Sequence, residues 1–276
     1  DALPSAPRGE QPRHPQTANR NFSVPQQRED SAGRPPAAAR ESFATRPPER
    51  KVDFDRAETE ENTPMERAYS PLDLAEIASM NWDQLKSATA QCACRLCEGR
   101  HHVVFADGSE QADLMFIGEG PGADEDAQGV PFVGKAGQLL TKMIAAMQFR
   151  RSEVYIANIV KCRPPGNRNP EEDEMDSCLP YLNRQIQLVS PKVIVLLGNV
   201  ALKGLMKRGG ISRLRGQWLD YKGIKVMPTF HPAYLLRYEA AKRDAWSDLQ
   251  QVMKVFGKVF PRRNHGGAER HRRRQW

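Results

Sequence analysis

Three short apolar runs punctuate the chain: Leu114 to Ile117, Val154 to Val160, and Lys192 to Leu197, the last reading Lys-Val-Ile-Val-Leu-Leu. None alternates apolar with polar positions, so each predicts a strand buried on both faces. Between them the period lengthens. From Gly137 to Gln148, residues Leu139, Leu140, Met143, Ile144 and Met147 recur at helical spacing, and Pro170 to Val189 carries a second crossover helix. Asn199 to Lys207 reads as a short helix and Glu239 to Val259 as the last one. Gly216–Tyr221 and Ile224–Pro228 flank Lys222-Gly223 and predict a hairpin. Upstream, Ser70-Pro71 offers a cap and a first-turn proline. Leu72, Leu74, Ile77, Trp82 and Leu85 then extend a helix toward the cysteines, followed by an extended stretch from His102 to Phe105. Strands alternating with helices predict an α/β fold with a largely parallel sheet covered on both faces.

Residues 1–70 show no such pattern. They hold ten of the 21 prolines and only scattered apolar residues. Such a segment buries too little surface to offset its chain entropy, so a disordered arm is expected there. The expected organisation is an arm over 1–70, one domain over 71–257, and a basic tail over 258–276. The formal charge of +7 is unevenly placed: the arm has 11 Lys and Arg against 12 Asp and Glu, and the tail 7 against 1. The basic balance is therefore a tail property, suited to a polyanion. No run of 18 apolar residues exists, so no membrane span is expected. The first 30 residues lack the apolar core of an export leader. Five cysteines without an export signal point to a reducing, cytoplasmic setting, where clustered cysteines bind metal rather than pair.

Ligands of parallel sheets sit at the carboxyl ends of the strands. After the first run comes Gly118-Glu119-Gly120-Pro121-Gly122 and then Asp124-Glu125-Asp126. The spacing is neither a dinucleotide nor a P-loop fingerprint, and four acidic side chains over Glu119–Asp126 would repel phosphate. A carboxylate there suits a developing cation or a water to be activated. Phe132, in a loop stiffened by Pro131 and flanked by Gly129 and Gly134, is a candidate stacking platform for a base. Asn158 stands near the carboxyl end of the second run. Its amide presents an acceptor and donors that match the hydrogen-bonding edge of a base. His231, stiffened by Pro232, stands at the end of the hairpin and can donate to a leaving group.

Cys92, Cys94, Cys97, Cys162 and Cys178 supply more than the four thiolates a metal site needs. Cys94 and Cys97 have ligand spacing, and spacing alone leaves zinc and iron–sulfur both open.

These motifs together resemble the family-4, iron–sulfur uracil-DNA glycosylases over about residues 75–257. The match rests on Gly118 to Gly122 with Asp124 to Asp126, on Gly129 to Leu140, on Asn158 to Pro170, and on His231 to Leu236. The resemblance implies a three-layer α/β/α sandwich on a four-stranded parallel sheet, a structural [4Fe–4S] cluster, and excision of uracil from single- or double-stranded DNA by a monomer. It implies that Phe132 stacks on the flipped uracil, Asn158 reads its edge and His231 donates to O2. Glu119 and Gly120 line the pocket floor, and Glu119 is the carboxylate placed to offset sugar charge or orient water. Glu125 pairs with Asn167, while Leu235, Leu236 and Arg237 fill the gap or grip the strand. One departure stands out. The position of the family's first cysteine is Gln91, so the expected ligands are Cys94, Cys97, Cys162 and Cys178, with Cys92 the alternative to Cys97. Competing readings are a non-catalytic uracil- or DNA-binding protein, a glycosylase for hypoxanthine or xanthine, and a cysteine–zinc adaptor. The arm is open to three roles: a site for a protein partner, a linker, or none.

Overall fold

The computed structural model describes residues 74–258, which fall in one compact unit. The expected arm over 1–70, the Ser70-Pro71 cap and the tail beyond Lys258 lie outside the described residues. The elements in order are α1 (Leu74–Ser79), α2 (Trp82–Ala90), β1 (Asp107–Gly108), β2 (Leu114–Gly118), α3 (Ala123–Gln128), α4 (Lys135–Ala146), β3 (Tyr155–Asn158), α5 (Glu172–Val189), β4 (Val193–Leu197), α6 (Gly198–Met206), α7 (Ile211–Leu214), β5 (Leu219–Tyr221), β6 (Ile224–Thr229), α8 (Pro232–Arg237) and α9 (Lys242–Val255).

The sheet has six strands in the order β1-β3-β2-β4-β6-β5. The inner four are parallel, and the two edges pair antiparallel. The four-stranded parallel core is thus the expected one, extended on one side by β5, which with β6 forms the expected hairpin, and on the other by β1, whose two residues could not announce a strand.

Every residue of β2, β3 and β4 is buried, which explains their unbroken apolar sequence. Odd and even positions serve different layers. Val193, Val195 and Leu197 pack with Leu140, Met143 and Leu249 beneath α4 and α9. Ile194 and Leu196 pack with Leu182, Leu202 and Met115 beneath α5 and α6. Burial on both faces is what closes a parallel sheet off from water.

The helix expected from Ser70 to the cysteines is divided. Asn81 ends α1 and caps α2: its side chain accepts from the Gln84 backbone at 3.0 Å, and Gln84 returns a bond to the Asn81 backbone at 2.9 Å. His102 to Phe105 is extended but joins no strand. Three short helices were not expected from the pattern: α3, α7 and α8. Each has six residues or fewer, too short to display a period. The last helix starts at Lys242, after a 3₁₀ turn over Glu239–Ala241, and stops before Gly257, which adopts φ of 67°.

No helix among the described residues is long and apolar enough to cross a membrane.

Candidate active site

β2, β3 and β6 deliver their carboxyl ends to one side of the sheet. Gly118 and Asn158 stand opposite each other in the parallel register. A cavity of about 510 Å³ opens there, within the range of small-ligand sites. Its walls include Glu119, Gly120, Glu125, Phe132, Asn158, Asn167, His231 and Arg237. Eight of the ten residues expected at the site therefore meet in one place, all but Leu235 and Leu236, although they come from four separate stretches of chain.

Asn158 is 1% exposed. Its Oδ1 is the sole buried side-chain nitrogen or oxygen without a hydrogen-bond partner among the described residues. Leaving such an acceptor unpaired costs about 1–3 kcal/mol, so the arrangement is retained for something that supplies a donor. Gly118 makes room for it: a Cβ there would stand 2.5 Å from Asn158 Oδ1 and 2.4 Å from the tip of the Phe132 ring. Phe132 is 7% exposed, and its ring centroid lies 5.8 Å from that of His231 at an interplanar angle of 35°.

His231 caps α8. Its Nδ1 accepts from the Ala233 backbone N–H at 3.1 Å, so in the neutral ring the proton resides on Nε2. Burial of the ring, aided by the nearby Arg237 cation, pushes the pKa down to about 4. The ring is thus a neutral Nε2–H donor at physiological pH. Behind it, Thr229 donates to Asp248 Oδ2 at 2.7 Å, and Arg215 holds Asp248 and caps the Phe230 face at 5.3 Å. That cluster fixes the end of β6 from which His231 extends.

Glu119 lines the cavity, and burial raises its pKa above the usual carboxylate range. The acidic group after it divides its work. Asp126 faces away and accepts from the His101 backbone at 2.9 Å and the His101 ring at 2.6 Å. Glu125 does not pair with Asn167, as had been expected. It accepts from the backbone of Gly122 at 3.1 Å and of Val133 and Gly134 at 2.9 Å each, while Asn167 accepts from Arg163 Nε at 2.7 Å. Three backbone donors, one before α3 and two after it, satisfy the carboxylate more fully than a single amide. Leu235 is a second correction. It is fully buried among Leu139, Leu140 and Leu249, and it is Leu236, 45% exposed, that faces solvent.

A separate small cavity gathers Cys92, Cys94, Cys162 and Cys178, with Thr89, Leu96, Lys161 and Tyr181. Cys97 does not line it; it belongs to a turn in which its N–H bonds the Cys94 carbonyl at 2.9 Å. The alternative cysteine, Cys92, stands where Cys97 had been expected. Arg100 donates to Cys162 Sγ at 3.2 Å, bringing a cation to the sulfurs. Contact with Cys94 and with Arg100 lowers the Cys162 pKa, while burial pushes Cys178 up to about 12. Among the described residues no group of His, Cys, Asp and Glu has the arrangement that holds a single metal ion.

Sequence reasoning missed Arg151. It lies outside the cavity wall, and nothing in the residues around it marked the fork of bonds it makes to the Phe132 loop.

Residues 105–250 match the Uracil DNA glycosylase superfamily. Among curated proteins the chain is 45% identical over 172 residues to a type-4 uracil-DNA glycosylase of Thermotoga maritima, covering 61% of this chain and 86% of that one. It is 40% identical over 184 residues to the type-4 uracil-DNA glycosylase of Sulfurisphaera tokodaii, covering 63% and 84%, and 39% identical over 181 residues to that of Archaeoglobus fulgidus, covering 61% and 91%. The sheet, the cavity at its carboxyl ends and these likenesses agree, and the chain belongs to the uracil-DNA glycosylase superfamily, within it to the type-4 family.

Proposed function

We propose that this protein hydrolyses the N-glycosidic bond of uracil in DNA, releasing the free base and leaving an abasic site. The observation that carries this reading is the unpaired Oδ1 of Asn158 on the cavity wall. Uracil offers N3–H to that acceptor and O4 to the amide N–H. Cytosine offers an acceptor at N3, so it leaves Oδ1 unsatisfied and is disfavoured.

The base must leave its stack to reach the cavity. Phe132 then stacks on its face. As the glycosidic bond lengthens, charge builds on uracil O2, and the neutral His231 Nε2–H donates to it where it develops. The sugar turns cationic, Glu119 together with the DNA phosphates offsets that charge, and water adds to the sugar carbon that uracil has left, its proton passing to solvent. Arg237 lines the cavity and its exposed neighbour Leu236 is the leucine left to meet the strand beside the flipped nucleotide. The family's [4Fe–4S] cluster fits the four sulfurs that share one cavity. Cys92, Cys94, Cys162 and Cys178 would hold it, and when bound it supplies a cross-link between the segment after α2, the loop after β3 and α5. We extend the reading to a monomer working beside the genomic DNA, in the cytoplasm.

Incubation with oligonucleotides holding one uracil, hypoxanthine or xanthine tests the function. Release of uracil with an alkali-labile site is expected. Binding without release would leave a non-catalytic sensor, and preferential release of another base would reassign the substrate. Iron and sulfide analysis, beside zinc, tests the cluster.

A further inference from the structure

Phe132 is held in a backbone conformation that an aromatic residue avoids. Its φ is 55°, and it is the sole aromatic residue with positive φ among those described. Bulky side chains reach this left-handed region only when their surroundings over-determine it. Glu125 fixes the N–H groups that follow, at Val133 and Gly134. The carbonyls before them are held by a different residue. Arg151, in the 3₁₀ turn ahead of β3, donates from Nη2 to the Pro131 carbonyl at 2.6 Å and from Nη1 to the Phe132 carbonyl at 3.2 Å. The same guanidinium is aimed by Asp107, which accepts from its Nε at 2.7 Å, and by Thr141 of α4 at 3.1 Å. Gly137 completes the seat, since a Cβ there would lie 1.9 Å from the Phe132 carbonyl.

We propose that Arg151 is a positioning residue for uracil recognition: its forked guanidinium, aimed by Asp107, clamps the Pro131 and Phe132 carbonyls and so holds the Phe132 ring against the base. This rests on the reading of Phe132 as the stacking platform. Only a planar fork with donors in several directions makes these four bonds at once; a lysine ammonium is a single point of charge. Without the clamp the peptide at Phe132 relaxes toward negative φ, and the ring leaves the cavity wall.

The test is a double-mutant cycle read by inhibition with free uracil and by the split between KM and kcat on a uracil-containing oligonucleotide. Phe132→Ala and Arg151→Met are each expected to weaken uracil inhibition by about tenfold, a size typical of base–aromatic stacking. The double variant is expected to be no weaker than Phe132→Ala. Arg151→Lys should fail to restore affinity although it keeps the charge. Arg151→Gln, whose amide reaches only as far as the Nε beside Asp107 and not to the two carbonyls, serves with the same expected loss if Arg151→Met does not fold. Wild-type uracil affinity in the Arg151 variants, or a loss that simply multiplies that of Phe132→Ala, overturns the clamp alone. Unchanged affinity in Phe132→Ala itself overturns the stacking reading and the clamp with it.

Discussion

At the scale of single residues, the site trades stability for recognition at Asn158. An unpaired buried acceptor lowers folding stability, and pairing it with uracil returns that loss. Asn158→Ala is therefore expected to lower kcat/KM by at least about 100-fold. It should leave the thermal midpoint unchanged or slightly higher, read by calorimetry; a drop as large as that of a core truncation would make Asn158 a structural residue. His231 carries a pH prediction. Its folded pKa of about 4 lies below the ordinary 6.5, so between those values the unfolded chain binds a proton that the folded chain does not. The stabilisation is full above about 6.5 and is lost as pH falls toward about 4. Urea midpoints measured across that window should fall with acid in the wild type and fall less in His231→Gln. Asn158 and His231 were legible in sequence because each is a polar side chain at or just past the carboxyl end of an apolar strand. Leu235 and Leu236 were not separable, because which of two adjacent leucines turns inward depends on the phase of α8, a helix of six residues. Arg151 left no trace, since two of its partners are backbone carbonyls and the others, Asp107 and Thr141, are brought to it only by the fold.

Elements set which cysteines meet. The chain after α2 turns at Cys94 to Cys97, and the turn carries Cys97 away while Cys92 faces the cavity shared with the loop after β3 and with Cys178 on the buried face of α5. Spacing could not show this, because a Cys-x₂-Cys pair and a tight turn have the same sequence. Cys92→Ser is accordingly expected to lower bound iron and sulfide sharply, and Cys97→Ser to leave both near wild type, by elemental analysis of purified protein. The opposite pattern would restore Cys97 as the ligand. The end of β6 gives a second element-scale prediction. Asp248→Asn weakens the bonds from Arg215 and Thr229 that fix the strand preceding His231. A partly buried pair of this kind is worth about 1–3 kcal/mol when one partner loses its charge, and chemical denaturation should show a loss of that size with kcat reduced alongside. An unchanged midpoint would mean the cluster adds nothing to the fold.

For the whole molecule, the parallel core was readable because β2, β3 and β4 are buried on both faces and so carry continuous apolar runs. Of the two edge strands, β5 was legible as one arm of the hairpin at Lys222-Gly223, whereas β1 has two residues, too few for any pattern. The site itself is a product of topology. β2 lies between β3 and β4, so the connection after β2 runs to one side and the one after β3 crosses back to the other, which opens a crevice at the carboxyl end of β2. Into that crevice four segments bring an unpaired amide oxygen, a neutral histidine, a partly buried carboxylate and an aromatic ring. The central claim is that this constellation excises uracil. It is tested most directly by quantifying free uracil released from a single-uracil oligonucleotide, single- and double-stranded, by wild type and Asn158→Ala side by side. The account predicts release with an equimolar abasic site by the wild type and a loss of at least about 100-fold in the variant. Release by both at similar rates, or by neither, would contradict it.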